Sequence, residues 1–163
     1  MQPLALTHYT LSTCLGLGRD ANWQALAAQT GNLKPCDFET IALPTWIGEV
    51  PGVDDVALRA ALADFDCRNN RLAQLALQQD GFTEGVQAAI NKYGADRIGL
   101  FLGTSTSGIL QTELAYRRRD TDAEGKPGAL PEDFCYAETH NTYSVAAFVA
   151  AFFGLRGPAL TVS

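Results

Sequence analysis

The sequence predicts an α/β protein in which strands and helices alternate in layers. Three observations carry this. The short apolar run Arg97-Ile98-Gly99-Leu100-Phe101-Leu102 is followed at once by a small polar loop and then by a helix-patterned stretch. Residues 141–153 are rich in Ala, Val and Phe on several sides, as a buried helix is. Beyond them Gly154 stops the helix, and Gly157-Pro158 leads into a second apolar run at 159–163.

Each element has its own local reason. Residues 4–14 are rich in Leu, Thr and Tyr and end at Gly16 and Gly18, which predicts a first strand. Residues 20–28 are Ala-rich and predict a short helix. The stretch 35–51 scatters Phe38, Ile41, Leu43, Trp46 and Ile47 among Gly and Pro, so it reads as a surface excursion with an anchored aromatic. Residues 54–64 and 68–79 have helical spacing. In the second, Leu72, Leu75, Ala76 and Gln79 share a face, and Asn69 and Asn70 sit where a cap is expected. Thr83 is a good cap for a helix over 83–93 with Val86, Ala89 and Ile90 on its apolar side and Gly94 as its stop. The run 97–102 predicts a buried strand. Residues 109–119 predict a helix closing on Arg117, Arg118 and Arg119, cations that suit a helix C-terminus. Residues 120–132 are charged and rich in Gly and Pro, hence an exposed loop. No repeat, low-complexity segment or linker is visible.

Composition bounds the function. The 163 residues are 47% apolar and 18% charged, enough for one domain with a core and not a disordered chain. The formal net charge of −6 supplies no basic field for nucleic acid. The longest apolar runs fall short of the ~20 residues of a membrane span. No Lys or Arg precedes Arg19, so the start lacks the basic region of a signal peptide, and a cytoplasmic location is expected. Cys14, Cys36, Cys67 and Cys135 are widely spaced and form no CxxC, so they read as small buried hydrophobes ahead of disulfide or zinc roles. His8 reads as a core or edge residue of the first strand, and His140 as a local cap or hydrogen-bonding group. Neither a cofactor nor a metal is expected.

The chemistry-bearing candidate is Gly103-Thr104-Ser105-Thr106-Ser107-Gly108. Between a strand and a helix, such a loop turns backbone N–H groups toward a ligand at the positive end of the helix, and its small residues allow close approach. It is not a P-loop, because the Gly-Lys-Ser/Thr ending is missing. A purely structural turn is the competing reading. Arg117–Arg119 likewise read as either a solvated helix end or a basic patch.

The stretch 143–163, YSVAAFVAAFFGLRGPALTVS, adds a specific order: buried helix, Gly stop, Arg, Gly-Pro, apolar strand. It resembles the segment of β-ketoacyl-(acyl carrier protein) synthases that leads into their nucleophile. The GTSTSG loop is similar to that family's Gly-rich loop beside the acyl pocket, and DCRNNRLAQLALQQ at 66–79 to the helix after its variable excursion. His140 with Asn141–Ser144 further resembles the subgroup of aryl-polyene pathways. The resemblance implies the N-terminal portion of a thiolase-like layered α/β/α domain spanning 1–163, with a Cys expected about three positions beyond Ser163. It implies decarboxylative Claisen condensation of an acyl thioester with a malonyl thioester on an acyl carrier protein, in fatty-acid or polyene assembly. A non-catalytic partner subunit resembling a chain-length factor is the alternative.

Under that resemblance Thr104, Ser105, Thr106, Ser107 and Gly108 would bind substrate, with Thr106 at the position of an apolar gate. The family's two catalytic His lie further along, and neither His8 nor His140 matches them. Carrier-protein docking would fall to Arg117, Arg118 and Arg119, because the family's basic positions hold Asp64, Asp66, Glu132 and Asp133 here. Ala159, Leu160, Thr161, Val162 and Ser163 would form a homo- or heterodimer contact. The apolar helix and terminal strand would leave apolar surface open in the 163-residue chain, which is expected not to fold stably by itself.

Overall fold

The computed structural model describes residues 3–39 and 41–163. The reading of the extreme N-terminus at Met1 and Gln2 lies outside them, and so does Thr40 of the excursion. The architecture is a mixture of helices and small sheets, as an α/β pattern requires.

Pro3–Leu11 carry no regular element and are mostly exposed, so the strand expected over 4–14 is reduced to β1, Ser12–Thr13. It pairs antiparallel with β2, Gly16–Leu17. No other described strand lies alongside 4–11, and an unpaired apolar run gains no ladder to hold it as a strand. His8 is therefore neither in a strand nor in the core. It is exposed, and a Cβ on Gly85 would meet its ring. Helix α1, Gly18–Ala27, starts two residues before the expected position. Its first turn is capped from a distance: the Asp80 carboxylate accepts the Arg19 N–H at 3.0 and 3.1 Å. Buried Asn22 holds the hairpin, donating to the carbonyls of Leu11, Gly16 and Gly18.

The excursion is irregular apart from a two-residue ladder, β3 (Lys34–Pro35) against β4 (Trp46–Ile47). Its anchored aromatic is Phe38, half-buried beneath the Arg68 guanidinium; Trp46 is 64% exposed. The helix expected over 54–64 is only a 3-10 segment, Ala60–Phe65, broken at Leu62 (φ −121°). Asp54 is drawn away to pair with Arg68, and Leu62 turns into the core.

Helix α2 spans Arg68–Leu77 and α3 spans Phe82–Tyr93. The turn between them uses the left-handed region at Asp80 (φ 57°) and Gly81 (φ 69°). Thr83 is not the cap of α3. Gly81 holds that position, and the Thr83 hydroxyl donates back to the Leu77 carbonyl at 2.8 Å. Asn69 and Asn70 do not cap α2 either. The buried side chains of α2 are Asn70 and Gln74, one turn apart, so its covered face is rotated from the expected Leu72–Leu75 line.

Strand β5 is Leu100–Gly103 rather than 97–102, because a 3-10 turn takes Ala95–Arg97, and it is not buried: one face packs on the core while Phe101 and Gly103 are exposed. Helix α4 covers Ile109–Arg117 and α5 covers Ser144–Phe153. The start of α5 is set by Asn141, whose side-chain oxygen accepts the Tyr143 N–H at 2.6 Å. The chain then returns as β6, Ala159–Val162, parallel to β5, with Leu100 opposite Ala159 and Gly103 opposite Val162. Gly157 is required at the approach: a Cβ there would overlap the Ile98 carbonyl oxygen.

The core gathers on α5. Phe148 is fully buried, with Val149 and Leu62 beside it and Phe65, Ala73, Leu77, Leu100 and Leu102 around them. The other face of the β5–β6 pair stays open: Phe101 is 74% and Val162 73% exposed. The accessible surface of 10888 Å² is well above the roughly 7,900 Å² usual for a monomer of this mass. Among the described residues no helix is long and apolar enough to cross a membrane.

Candidate functional site

The parallel pairing of β5 and β6 brings the two strand ends to one edge. The Thr104 N–H donates to the Val162 carbonyl at 2.9 Å, so the 103–108 loop leaves the sheet where β6 ends. Ligands of open α/β sheets bind outside the carboxyl ends of the strands, which is this edge.

Within the loop the residues divide. Ser105 and Thr106 are exposed, whereas Ser107 and Gly108 are buried. Gly108 has φ 74°, and a Cβ on it would overlap the backbone of Asn141, so glycine is required twice over. The Ile109 N–H turns back to the Thr106 carbonyl at 3.3 Å. Among the described residues the N–H groups of exposed Ser105 and Thr106 have no backbone acceptor, and they lie just ahead of the α4 N-terminus. Such a row of small residues and open donors suits a carbonyl or other oxygen-rich group.

Two successive amides of α2 follow, one bonded to the loop and the other to segments on either side of it in sequence. Asn69 Nδ2 donates to Ser107 Oγ at 2.7 Å. Asn70 is fully buried and donates to the carbonyls of Phe65 (2.8 Å) and Glu138 (3.3 Å). Sequence reasoning took both for caps. The signal that could have separated them is their place inside a helix, where Asn is a poor former and needs a partner to be retained.

Beside the loop runs an apolar groove of about 520 Å³, walled by Phe38, Ile41, Ile47, Val53, Leu72 and Leu110, with Thr106 and Gly108 also lining it. The rim is ionic. Lys34 lies 2.7 Å from Glu49 and 3.2 Å from Asp37, and Arg68 joins Glu49 at 3.1 Å and also pairs with Asp54. The hydrogen bond from Lys34, then its charge, with Arg68 adding to both, hold the Glu49 carboxyl below its ordinary value.

The remaining candidates fall elsewhere. Arg117 pairs with Glu113 at 2.6 Å and Arg118 with Asp133 at 2.9 Å. Arg119 donates to the Gly128 carbonyl at 2.6 and 3.0 Å and covers the Tyr116 ring. All three guanidiniums have protein partners away from the groove. His140 is buried against Phe134, with the Cys135 N–H donating to its Nδ1 at 3.2 Å, and its carbonyl accepts from Thr112 at 2.7 Å. It is a local hydrogen-bonding group, as its sequence position suggests.

The four cysteines are unpaired. Burial pushes the Cys67 thiol up, and at Cys135 the hydrogen bond to Glu138 does the same, aided by burial. A raised thiol carries less thiolate than a free one. Among the described residues no three His, Cys, Asp or Glu side chains converge as a metal site. No protein-family model matches the chain, and no curated protein matches it.

Proposed function

We propose that this chain is the N-terminal portion of a thiolase-like condensing enzyme, a β-ketoacyl-(acyl carrier protein) synthase working in the cytoplasm on fatty-acid or polyene intermediates. The observation that carries the reading is the parallel β5–β6 pair, with Gly103 opposite Val162. It makes the end of β6 and the 103–108 loop neighbours. A cysteine a few residues beyond Ser163 would emerge facing the open N–H groups of that loop. The order of buried helix, Gly154, Gly157-Pro158 and strand supports the same reading.

In this reading the thiolate attacks an acyl thioester, expels the carrier's thiolate and becomes acylated. A malonyl thioester then loses carbon dioxide, and the resulting carbanion attacks the bound acyl group, displacing the thiolate. The loop's small residues let the acyl thioester approach the backbone, and Thr106 takes the place of an apolar gate. Two His from the remainder of the polypeptide would polarise the malonyl thioester. The carrier protein would meet Arg117–Arg119 by exchanging their present partners, and β6 would pair across a two-fold axis with a like or related subunit.

The test is made on the full-length polypeptide. It is incubated with acyl-loaded carrier protein, and its intact mass is measured before and after malonyl-loaded carrier protein is added. A mass gain of one acyl group on a Cys three positions beyond Ser163, discharged by the malonyl partner, is the expected result. No acylation would remove the enzyme reading, and a non-Cys residue at that position would replace it with the non-catalytic partner subunit.

A further inference from the structure

We infer that Asn69 is the positioning residue of the 103–108 loop, acting through Ser107. For its catalytic consequence this rests on the condensing-enzyme reading; for its structural part it does not.

The loop is held at three places, and they are unequal. At its start the Thr104 N–H bonds to Val162, a backbone contact that the parallel ladder supplies whatever the side chain. At its end Gly108 lies against the Asn141 backbone, again without a side chain. The middle has one side-chain tie among the described residues, from Asn69 Nδ2 to Ser107 Oγ at 2.7 Å. Ser107 is only 2% exposed while Ser105 and Thr106 before it are exposed, so this bond draws the loop's second half inward and leaves the first half presented. Losing the Asn69 amide strands a buried hydroxyl, and losing the Ser107 hydroxyl removes the tie itself; in either case the loop's second half is freer to swing out. Asn69 is itself fixed, because α2 is anchored one residue later by fully buried Asn70 on the carbonyls of Phe65 and Glu138. The line Asn70–Asn69–Ser107 therefore transmits the rigidity of the α2 start to the row of open N–H groups. Rigid support of this kind is what donors aimed at a developing charge require.

The experiment uses the full-length polypeptide as wild type, Asn69→Ala, Asn69→Asp and Ser107→Ala. Two quantities are read: amide exchange at Ser107 and Gly108, the buried half of the loop that Asn69 holds inward, and kcat and KM with acyl- and malonyl-loaded carrier protein. Asn69→Ala and Ser107→Ala should each speed loop exchange about tenfold, the scale of one hydrogen bond, while β5 and α5 stay protected. Their kcat should fall about tenfold with KM little changed. Asn69→Asp should restore both, because its carboxylate can accept the Ser107 hydroxyl proton. The two Ala variants remove the same bond from opposite sides, so one suffices if the other does not fold. Loop exchange equal to wild type in either Ala variant overturns the inference, and so does faster exchange that spreads equally into β5 and α5. A wild-type protein with a protected loop but no condensation sinks the functional reading, while the exchange result still decides the role of Asn69.

Discussion

The two ends of this chain are held by different forces. From residue 95 onward, β5, α5 and β6 form a unit in which a four-residue parallel ladder backs onto Phe148 and Val149. Up to residue 53 the ladders are two residues long, and most large apolar side chains, such as Leu4, Leu6, Trp23 and Trp46, are exposed. That part is fastened by polar ties: Asn22 inside the hairpin, Asp80 on the start of α1, and the ionic rim of Lys34, Glu49, Arg68 and Asp54. Apolar burial is not screened by salt and does not titrate near pH 4. The ionic ties, at Asp80 and along the Lys34–Glu49–Arg68–Asp54 rim, are vulnerable to both, so the two ends should fail separately and under different conditions.

Even the better-packed end is not expected to be self-sufficient. With Phe101 and Val162 open and the surface well above that of a monomer, the isolated 163-residue chain should show no cooperative thermal transition. A sharp melt of the monomeric chain would contradict this. Next, Phe148→Ala should cost about 3–5 kcal/mol in urea unfolding of the native protein, as a fully buried Phe does. Asn22→Ala should cost less, about 1–3 kcal/mol, and should expose the hairpin at 12–17 to exchange without loosening α5. Equal global destabilisation by both would erase the distinction.

Acid sharpens it further. The Lys34 bond and charge lower Glu49, and at Asp66 the Arg71 bond lowers the carboxyl against the opposing effect of burial. At Asp80 burial works upward, but the Arg19 N–H, the Thr10 hydroxyl and the Arg19 charge outweigh it. A depressed carboxyl contributes stability that is full above the unfolded value of about 4 and is lost as pH falls through the lower folded value. Proteolysis between 34 and 54 should therefore rise below about pH 4 before α5 is affected. Asp80→Asn should shift the release of α1 in the same direction at neutral pH. The smallest effect is that of salt: at ~1 M, where screening reaches about 3 Å, the excursion should be cut somewhat faster while the β5–β6 unit is unchanged.

Helices α3, α4 and α5 and strands β5 and β6 were legible, since an apolar period, a Gly stop or a Gly-Pro step lies within each. The loop at 103–108 was legible as a strand-to-helix junction of small residues. The ties that shape it were not. Asn69 and Asn70 looked like caps, Thr83 looked like the start of α3, and residues 4–11 looked like a strand. Each of those readings used only neighbours in sequence, whereas Asn69 bonds 38 residues away, and Asp80 reaches Arg19 across 61.

By itself, then, the sequence determined where the chain can be helical, where it must turn, and which stretch offers small residues between a strand and a helix. Those preferences act over a few residues through side-chain sterics and apolar periodicity. Only the tertiary structure decided that β6 lies parallel to β5, that Gly108 rests on Asn141, that Asp80 starts α1, and that Asn69 holds Ser107 inward. A buried polar group must find a partner wherever folding brings one, and that partner is chosen by the packing of distant segments rather than by its neighbours in the chain.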